Sequence, residues 1–178
     1  RTIFGDGAAA TLVSTEGIAR IGNFVIGTDG TGAENLIVKT GCARNPKPLN
    51  DLKFDDYDNP RSSDNLYMDG PAILNYSLES IPQLFKDDLD KNGEEKDGID
   101  LHVYHQANIF LANLERRKLK IAPEKYYVNI SKVGNTVSST IPIALCMAME
   151  DGSLKQGMKV LSMAQGLGYT WGGMVLYF

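Results

Sequence analysis

Apolar and polar positions in the second half of the chain alternate between two patterns. Residues 99–104 form a short apolar run that is typical of a strand. Beyond His105, apolar side chains follow helical spacing, at Ala107, Phe110, Leu111 and Leu114. The pattern predicts a strand, a corner at His105 and then a helix.

The same plan recurs further along the chain. Residues 126–130 read as a strand, and residues 134–136 turn the chain. Ser138 or Ser139 is predicted to cap a helix that has Pro142 in its first turn.

A longer helix is predicted to begin near residues 68–71, where Pro71 suits a first turn. Pro82 is expected to kink or break this helix because proline lacks an N–H group. One apolar stripe at helical spacing indicates the side that packs on the core, with Leu74, Leu78, Ile81 and Phe85.

The first third of the chain holds two further predicted strands, at residues 8–13 and 18–27. Residues 40–66 are rich in Pro, Asn, Asp and Ser and show little periodicity. A stretch of that length without periodicity predicts a long surface loop.

Residues 159–163 and 174–178 read as two more strands, and the glycine-rich residues 166–173 between them read as a turn. Strands that alternate with helices indicate a mixed α/β layer fold. The length of 178 residues fits one domain with a core of its own.

Composition narrows the function classes. The net charge of −4 gives no sign of general nucleic-acid binding. Two cysteines, Cys42 and Cys146, stand in unlike surroundings, which fits a reducing compartment. The longest apolar run, residues 141–149, is too short to span a bilayer, so a cytoplasmic protein without a membrane segment is expected. His102 and His105 lack further ligands at metal-binding spacing, so no metal site is predicted.

His105 and Asn135 are the candidate catalytic residues. Each stands at a predicted strand-to-helix corner, where the sites of parallel sheets lie. A neutral imidazole and an Asn amide can both donate an N–H, and donors aimed at one point stabilise charge on a carbonyl oxygen. A lone histidine is often structural, and an Asn between Gly134 and Thr136 is often a turn residue, so both alternatives stay open.

Three motifs together resemble the C-terminal half of a 3-oxoacyl-[acyl carrier protein (ACP)] synthase III. They are His-Gln-Ala-Asn at 105–108, Gly-Asn-Thr at 134–136 with its Ser-Ser-x-Ile-Pro-x-Ala-Leu helix, and Gly-Leu-Gly-Tyr-Thr-Trp-Gly at 166–172. Phe-Gly-Asp-Gly-Ala-Ala-Ala at 4–10 resembles the segment that joins the two halves of that family. The resemblance implies a thiolase-like α/β fold, with a mixed sheet and helices on both faces. It also implies that residues 1–178 are a single C-terminal domain, a fragment that lacks the N-terminal half.

The resemblance implies an acyltransferase of fatty-acid biosynthesis. It would join an acyl-CoA or acyl-ACP starter to malonyl-ACP by decarboxylative Claisen condensation, with His105 and Asn135 on the malonyl thioester and its enolate. Gly166, Leu167 and Gly168 would supply a backbone N–H to the oxyanion, and a plain tight turn is the alternative. Many relatives carry Phe-Gly-Gly-Gly there, whereas this chain has Gln-Gly-Leu-Gly.

The condensation also needs an acyl-carrying nucleophile, usually a cysteine at a helix N-terminus. Neither Cys42 in a polar loop nor Cys146 inside a predicted helix fits that position. The family's nucleophile lies in the N-terminal half, so this chain alone is predicted to be inactive. No cofactor is implied, because the substrates carry CoA or the phosphopantetheine of ACP.

The resemblance also implies partners. Arg116, Arg117 and Lys118 form a basic cluster that would dock acidic ACP, although a basic helix end also complements the macrodipole. The family often has an Arg at the position of Phe110. Asn108 would bond the pantetheine arm, or cap its own helix. A homodimer is expected for the full-length protein.

Two other functions remain open from the sequence. One is a related condensing enzyme of secondary metabolism that makes a different bond on the same site. The other is a non-catalytic partner subunit of a condensing enzyme, because neither cysteine is a plausible nucleophile.

Overall fold

A four-stranded mixed sheet carries the structure, a computed structural model that describes residues 4–178. Its strands lie in the order β1 (Arg20–Thr28), β8 (Thr170–Tyr177), β7 (Lys159–Gly166) and β6 (Leu101–Tyr104). The first three are antiparallel neighbours, whereas β6 pairs with β7 in parallel. The strands predicted at 18–27, 99–104 and 159–163 are confirmed with shifted bounds.

The other elements are short paired strands and helices. The paired strands are β2 (Leu36–Ile37) with β5 (Tyr67–Met68), and β3 (Lys53–Phe54) with β4 (Pro60–Arg61). The α-helices of the described residues are α1 (Gly70–Asn92), α2 (Ile109–Lys118), α3 (Ile130–Val133) and α4 (Thr140–Glu150). None of the helices within residues 4–178 is long and apolar enough to cross a membrane.

Helices cover both faces of the sheet. On one face α1 and α2 pack on β6, β7 and β8 around Tyr104 and Leu161. On the other face Ala144 and Ala148 of α4 pack on the sheet around Val103. Successive side chains of a strand point to opposite faces, so β6 is buried on both of them. The predicted mixed α/β layer fold is confirmed.

Helix α1 begins where the sequence predicts and is capped at both ends. Asp69 accepts a hydrogen bond from the backbone N–H of Ala72 at 3.0 Å, and Gly93 ends the helix with a φ of 65°. Of the two outcomes predicted at Pro82, a break is wrong, because the helix continues through it, and a kink stays a prediction. The predicted stripe is only partly right: its fully buried apolar residues are Ile81, Leu84, Phe85 and Leu89, and Leu74 and Leu78 are half-buried.

The strand predicted at residues 8–13 is wrong. These residues pair with no strand of the described chain and are exposed, with Leu12 at 92%. A strand requires the backbone of a neighbour, and within residues 4–178 no neighbour lies beside this segment. An apolar run cannot by itself supply that partner.

The strand predicted at residues 126–130 is also wrong. Tyr126 makes one isolated β-bridge to His102, and α3 begins at Ile130. The side chain of Gln106 occupies the pairing edge: its Nε2 donates to the carbonyl of Tyr127 at 3.1 Å, and its Oε1 accepts from the amides of Asn129 and Ile130 at 3.0 Å. A buried side chain thus replaces a neighbouring strand.

The glycine-rich turn is shorter than predicted, because β7 runs to Gly166 and β8 begins at Thr170. Only residues 167–169 connect the two strands, and the predicted closing strand is lengthened to start at Thr170. Gly168 has a φ of 118°, a region that favours glycine.

The helix predicted after His105 is confirmed as α2, and Phe110 does not lie on its core-facing side. Its buried residues are Ala112 and Glu115, whereas Phe110 is 65% exposed. The apolar spacing through Phe110 therefore identifies the helix and does not indicate which side packs on the core.

Residues 40–66 lie mostly on the surface and contain the β3–β4 pair. Their carboxylates organise the backbone: Asp64 accepts from the hydroxyl of buried Thr40 at 2.5 Å and from the amides of Leu49 and Asn50, both at 2.8 Å. Asp51 likewise bonds Ser62 and Ser63. The segment therefore has a hydrogen-bonded structure of its own without a large apolar core.

Candidate functional site

The candidate site is a cavity of about 640 Å³ between α1, α2 and the carboxyl end of β6. The structure brings five of the predicted site residues to its walls, namely His105, Asn108, Asn135, Gly166 and Leu167. The walls are otherwise mainly apolar, as expected of a pocket with a small number of placed polar groups. Residues that are far apart in sequence therefore share one space.

His105 follows β6 directly, as the sequence predicts. Its backbone N–H donates to the carbonyl of Met163 at 2.8 Å, which extends the contact between β6 and β7 by one residue. Its Nδ1 lies 2.7 Å from Oγ1 of Thr140, the first residue of α4. Burial lowers the pKa of the His105 imidazole, so the ring is neutral at pH 7.

Asn135 reaches the cavity from a different kind of corner than predicted. It follows the short helix α3 and not a strand, and its carbonyl accepts from the amide of Gly5 at 2.8 Å. Its Oδ1 accepts from the amide of Val137 at 2.9 Å. The carboxamide is thereby oriented, and no group of residues 4–178 bonds its Nδ2, which remains free to donate to an occupant of the cavity.

Val137 links the two candidate catalytic residues. Its amide holds Asn135, and its carbonyl accepts from the hydroxyl of Thr140, which contacts His105. Val137 has a φ of 55°, in the left-handed region that a β-branched residue rarely adopts. Backbone strain of this kind is found where the surrounding structure holds a site in place.

Asn108 lines the cavity and also caps α2. Its Oδ1 accepts from the backbone N–H of Leu111 at 2.8 Å, the hydrogen bond of an N-cap. The cap is the alternative that the sequence left open, and it leaves the Nδ2 of Asn108 for another partner.

The turn between β7 and β8 is anchored through Tyr169. The ring of Tyr169 stacks on that of Tyr76 with centroids 3.8 Å apart, and its carbonyl accepts from the amide of Asp29 at 2.8 Å. Gly166 and Leu167 line the cavity, whereas Gly168 faces Ala33. Gln165 also lines the cavity, and its amide donates to the hydroxyl of Ser80.

Glu115 is a cavity residue that the sequence analysis missed. It is 4% exposed, and burial raises the pKa of its carboxyl to about 8. The hydroxyl of Tyr126 donates to its Oε2 at 3.4 Å. In the sequence Glu115 stands next to Arg116 and Arg117, a pattern typical of a solvated helix end. The only sequence signal for its burial is its helical spacing from Ala112.

The basic cluster lies at the end of α2 and not on the cavity wall. Arg117 and Lys118 are exposed, and Nη1 of Arg116 donates to the carbonyl of Ile121 at 2.8 Å. At the start of the same helix, Ile109 and Phe110 are 51% and 65% exposed. The helix therefore presents apolar and cationic groups together.

Other candidate chemistry is placed elsewhere. Cys42 and Cys146 are both exposed free thiols, and neither lines the cavity. Within residues 4–178, no group of three or more His, Cys, Asp or Glu side chains is arranged to hold a metal ion. The chemistry available in the described cavity is hydrogen bonding, by one imidazole, by side-chain amides and by the protonated carboxyl of Glu115.

The sequence and the fold were both compared with known proteins. Residues 89–178 match the family described as 3-oxoacyl-[acyl-carrier-protein (ACP)] synthase III C terminal. The chain is 33% identical to a beta-ketoacyl-[acyl-carrier-protein] synthase III of Nitratidesulfovibrio vulgaris over 181 aligned residues, which cover 99% of the chain and 52% of that protein. It is 34% identical to the protein of that name from Campylobacter fetus, over 99% of the chain and 52% of the relative.

Solved structures that resemble the chain belong to the same family. A crystal structure of a 3-oxoacyl-(acyl-carrier-protein) synthase III at 40% identity superposes with a TM-score of 0.84, over 95% of the chain and 50% of that structure. The beta-ketoacyl-ACP synthase III of Thermus thermophilus has a TM-score of 0.73 at 30% identity, over 89% and 46%. The chain thus spans about half the length of the relatives that it matches.

Proposed function

Because the chain belongs to the 3-oxoacyl-[acyl-carrier-protein] synthase III family, we propose that it is the C-terminal half of a condensing enzyme of this type. Its thiolase-like α/β fold, with a mixed sheet and helices on both faces, is confirmed by the solved structures that it matches. The proposed reaction is the decarboxylative Claisen condensation of an acyl-CoA or acyl-ACP starter with malonyl-ACP in fatty-acid biosynthesis.

The shared cavity of His105, Asn135 and the turn at Gly166 is the observation that supports this proposal. In the reaction a thiol first takes the acyl group from the starter as a thioester. The malonyl thioester then loses CO2, and its enolate carbon attacks the acyl carbonyl and releases the thiol, which leaves a 3-oxoacyl thioester. Negative charge develops on the malonyl thioester oxygen, where the free Nδ2 of Asn135 donates.

The nucleophilic thiol is proposed to come from the N-terminal half, because neither cysteine of this chain lines the cavity. The 178-residue chain by itself should therefore form no 3-oxoacyl product. The complete enzyme is proposed to be a cytoplasmic homodimer.

Asn135→Ala in the complete enzyme tests the assignment of the oxygen donor. Loss of one such donor typically costs about 10²–10³ in rate, so decarboxylation of malonyl-ACP and condensation should fall by that factor while acylation by the starter persists. Asn113→Ala is the matched control, because Asn113 is on α2 outside the cavity and its side chain bonds, among residues 4–178, only the carbonyl of Ile109. If Asn135→Ala decarboxylates malonyl-ACP at the parent rate, Asn135 is a turn residue and the site assignment fails.

The exposed end of α2 is proposed to dock ACP. Its cations would attract the acidic carrier, and exposed Phe110 at the start of the same helix would provide an apolar anchor. Arg117→Glu in the complete enzyme should raise KM for the carrier and flatten its salt dependence, whereas Lys86→Glu on the exposed side of α1 should not. An unchanged KM in Arg117→Glu would remove the docking role.

A second candidate function is a non-catalytic partner subunit. The feature that favours it is that both cysteines are exposed and lie outside the cavity. Acylation of the complete protein by a panel of acyl-CoA starters separates the two functions, because a partner subunit would form no covalent acyl species. Analysis of the product formed with malonyl-ACP identifies a condensing enzyme of secondary metabolism, whose product would differ from a 3-oxoacyl thioester.

A further inference from the structure

The cavity has an exposed rim and a buried inner end. At the rim, Met68 and Leu167 are 48% and 42% exposed. At the inner end, Ile81, Tyr104 and Met163 are each no more than 2% exposed. A carrier protein or a nucleotide is too large for the inner end, which can therefore hold only the far end of a substrate chain.

Two buried polar side chains interrupt the apolar wall of the cavity. Glu115 of α2 is 4% exposed, and Ser77 of α1 is 2% exposed. The Oε2 atom of Glu115 accepts from the hydroxyl of Tyr126 at 3.4 Å. Among residues 4–178, no group bonds the Oε1 atom of Glu115 or the Oγ atom of Ser77. Two helices thus each contribute one oxygen without a partner.

Both oxygens face open space. Unpartnered polar atoms that the described protein seals off completely occur elsewhere, on Asp88, Thr136 and Ser162. Because Glu115 Oε1 and Ser77 Oγ are not among those sealed atoms, their small exposed area belongs to the cavity that the two residues line. A buried polar group without a partner costs free energy, and an occupant that supplies the partner recovers it.

The chemistry of Glu115 determines which partner fits. Burial raises the pKa of its carboxyl to about 8, so the carboxyl is mainly protonated at pH 7. Since Oε2 accepts from Tyr126, Oε1 carries the proton and is an O–H donor. Its complement is an uncharged oxygen that accepts a hydrogen bond. An ammonium group fits less well, because it would require two charges in an apolar cavity.

The spacing along α2 indicates which substrate reaches this oxygen. Asn108 and Glu115 both line the cavity and are seven positions apart, which corresponds to roughly 10 Å along a helix axis. Asn108 is close in sequence to His105, at the reacting end. An acyl chain of several carbons spans that distance, whereas a malonyl group does not.

We propose that the inner end of the cavity selects a starter acyl group whose chain carries an oxo or hydroxyl oxygen, which Glu115 and Ser77 bind. The thioester end of the starter lies beside His105 and Asn135. An alkyl chain of the same shape leaves the Glu115 O–H unpaired. That the occupant is the starter rests on the proposed function, whereas the preference for the oxygen rests on the cavity alone.

Methionine methyl signals can measure this preference on the chain itself. Of its six methionines, Met163 lines the inner end and Met68 the rim. The ¹³C-methyl-labelled chain is titrated at pH 7 with octanoyl thioesters of N-acetylcysteamine that carry an oxo group at successive carbons. Each is paired with a counterpart in which a methyl group replaces the oxo oxygen. Met163→Leu and Met68→Leu assign the two signals.

We expect at least one oxo form to shift the Met163 signal with a Kd about tenfold below that of its methyl counterpart. Equal or tighter binding of every methyl counterpart would overturn the proposal, and so would a Met163 signal that no probe shifts. An amino-substituted chain that binds more tightly than the oxo forms would identify a cation site and overturn it as well.

Two substitutions of Glu115 form a matched pair. Glu115→Leu has a similar size without a hydrogen-bonding group and should abolish the oxo preference. Glu115→Gln keeps an N–H donor and should retain most of it, and Ser77→Ala should reduce it in part. The signals of Met147 and Met149, on α4 outside the cavity, report whether each variant is folded. An oxo preference that survives in folded Glu115→Leu would overturn the proposal.

Acylation of the complete enzyme tests the identity of the substrate. With CoA thioesters of the same series, kcat/KM for acylation should favour the preferred oxo form about tenfold, and Glu115→Leu should remove the difference. Equal acylation by each methyl counterpart would overturn the assignment to the starter. A complete enzyme that forms no 3-oxoacyl product would overturn the proposed function and leave the binding preference of the chain standing.

Discussion

Aspartates in two regions of this molecule have opposite pKa shifts. Asp88 on α1 is fully buried against β8, and burial, reinforced by the charge of Asp87, raises the pKa of its carboxyl to about 7. In the surface segment 40–66, hydrogen bonds from Ser63 and Ser62 lower the pKa of Asp51 to about 2. The amide of Asn59 has the same effect on Asp55, whose pKa is also about 2.

The difference lies in the donors that each carboxyl meets. Neither oxygen of Asp88 has a hydrogen-bond partner among residues 4–178, so the core accepts the carboxyl only in its protonated form. Asp51 accepts from Ser62 Oγ at 2.8 Å and from the amide of Ser63 at 2.9 Å, and both contacts favour the charged form. Ionised carboxylates thus organise the backbone of the surface segment, whereas ionisation of Asp88 would destabilise the core.

The largest expected effect comes from filling the space beside Asp88. A Cβ on Gly173 would overlap the carboxyl of Asp88, so Gly173→Ala should lower the free energy of unfolding by about 1–3 kcal/mol or more. Gly172→Ala is the matched control, because its Cβ would lie 3.5 Å from the carbonyl of Val25, an ordinary contact. Urea unfolding measures both variants.

A double-mutant cycle identifies the cause of that loss. In an Asp88→Ala background, Gly173→Ala should cost far less, because the overlapping carboxyl is gone. An equal cost in both backgrounds would mean that the strand itself, and not Asp88, rejects the methyl group.

The next effect is the pH dependence of stability. Because the folded-state pKa of Asp88 is raised, the stability associated with its protonated form is complete below about pH 4 and is lost as the pH rises through about 7. Asp88→Asn cannot ionise, so at pH 8 it should unfold with a free energy about 1–2 kcal/mol above that of the parent chain, and at pH 4 with no such advantage. Denaturation curves across this range make the comparison.

Glu115 should also make the folded state less stable as the pH rises, because burial raises the pKa of its carboxyl to about 8. Glu115→Gln should therefore remove the part of the pH dependence that remains in Asp88→Asn. Parent stability that stays constant between pH 4 and pH 9 would contradict both assignments.

The smallest expected effect is confined to the surface segment 40–66. There the stability contributed by Asp64 falls as the pH is lowered, opposite to the effect of Asp88 and Glu115. Hydrogen bonds from Thr40, Leu49 and Asn50 lower the pKa of Asp64, so their contribution is present above about pH 4 and is lost as the pH falls through the lowered value. Asp64→Asn should speed amide hydrogen exchange at Leu49 and Asn50 and barely change the melting temperature. Exposed Asp56→Asn should change neither. Exchange at the parent rate in Asp64→Asn would mean that other contacts hold this segment.

Much of the fold can be predicted from local sequence signals. The start of α1 near Pro71 follows from the sequence, and the caps Asp69 and Gly93 depend on one side chain and one backbone angle. The β6 run and the position of His105 after it also follow from the sequence, because an apolar run buried on both faces needs no information about its neighbours to be recognised. The family motifs around His105, Asn135 and Gly166 likewise identified the walls of the cavity.

Only the tertiary structure decided what those residues contact. Gln106 takes the place of a strand beside residues 127–130, and α2 buries Glu115 and exposes Phe110. Thr140 reaches His105 across 35 positions of sequence. Periodicity reports which residues can share a side of an element, whereas the partner of a buried polar group is set by elements brought together from distant parts of the chain. The chemistry of this cavity depends on those partners, because they orient the side chains that line it.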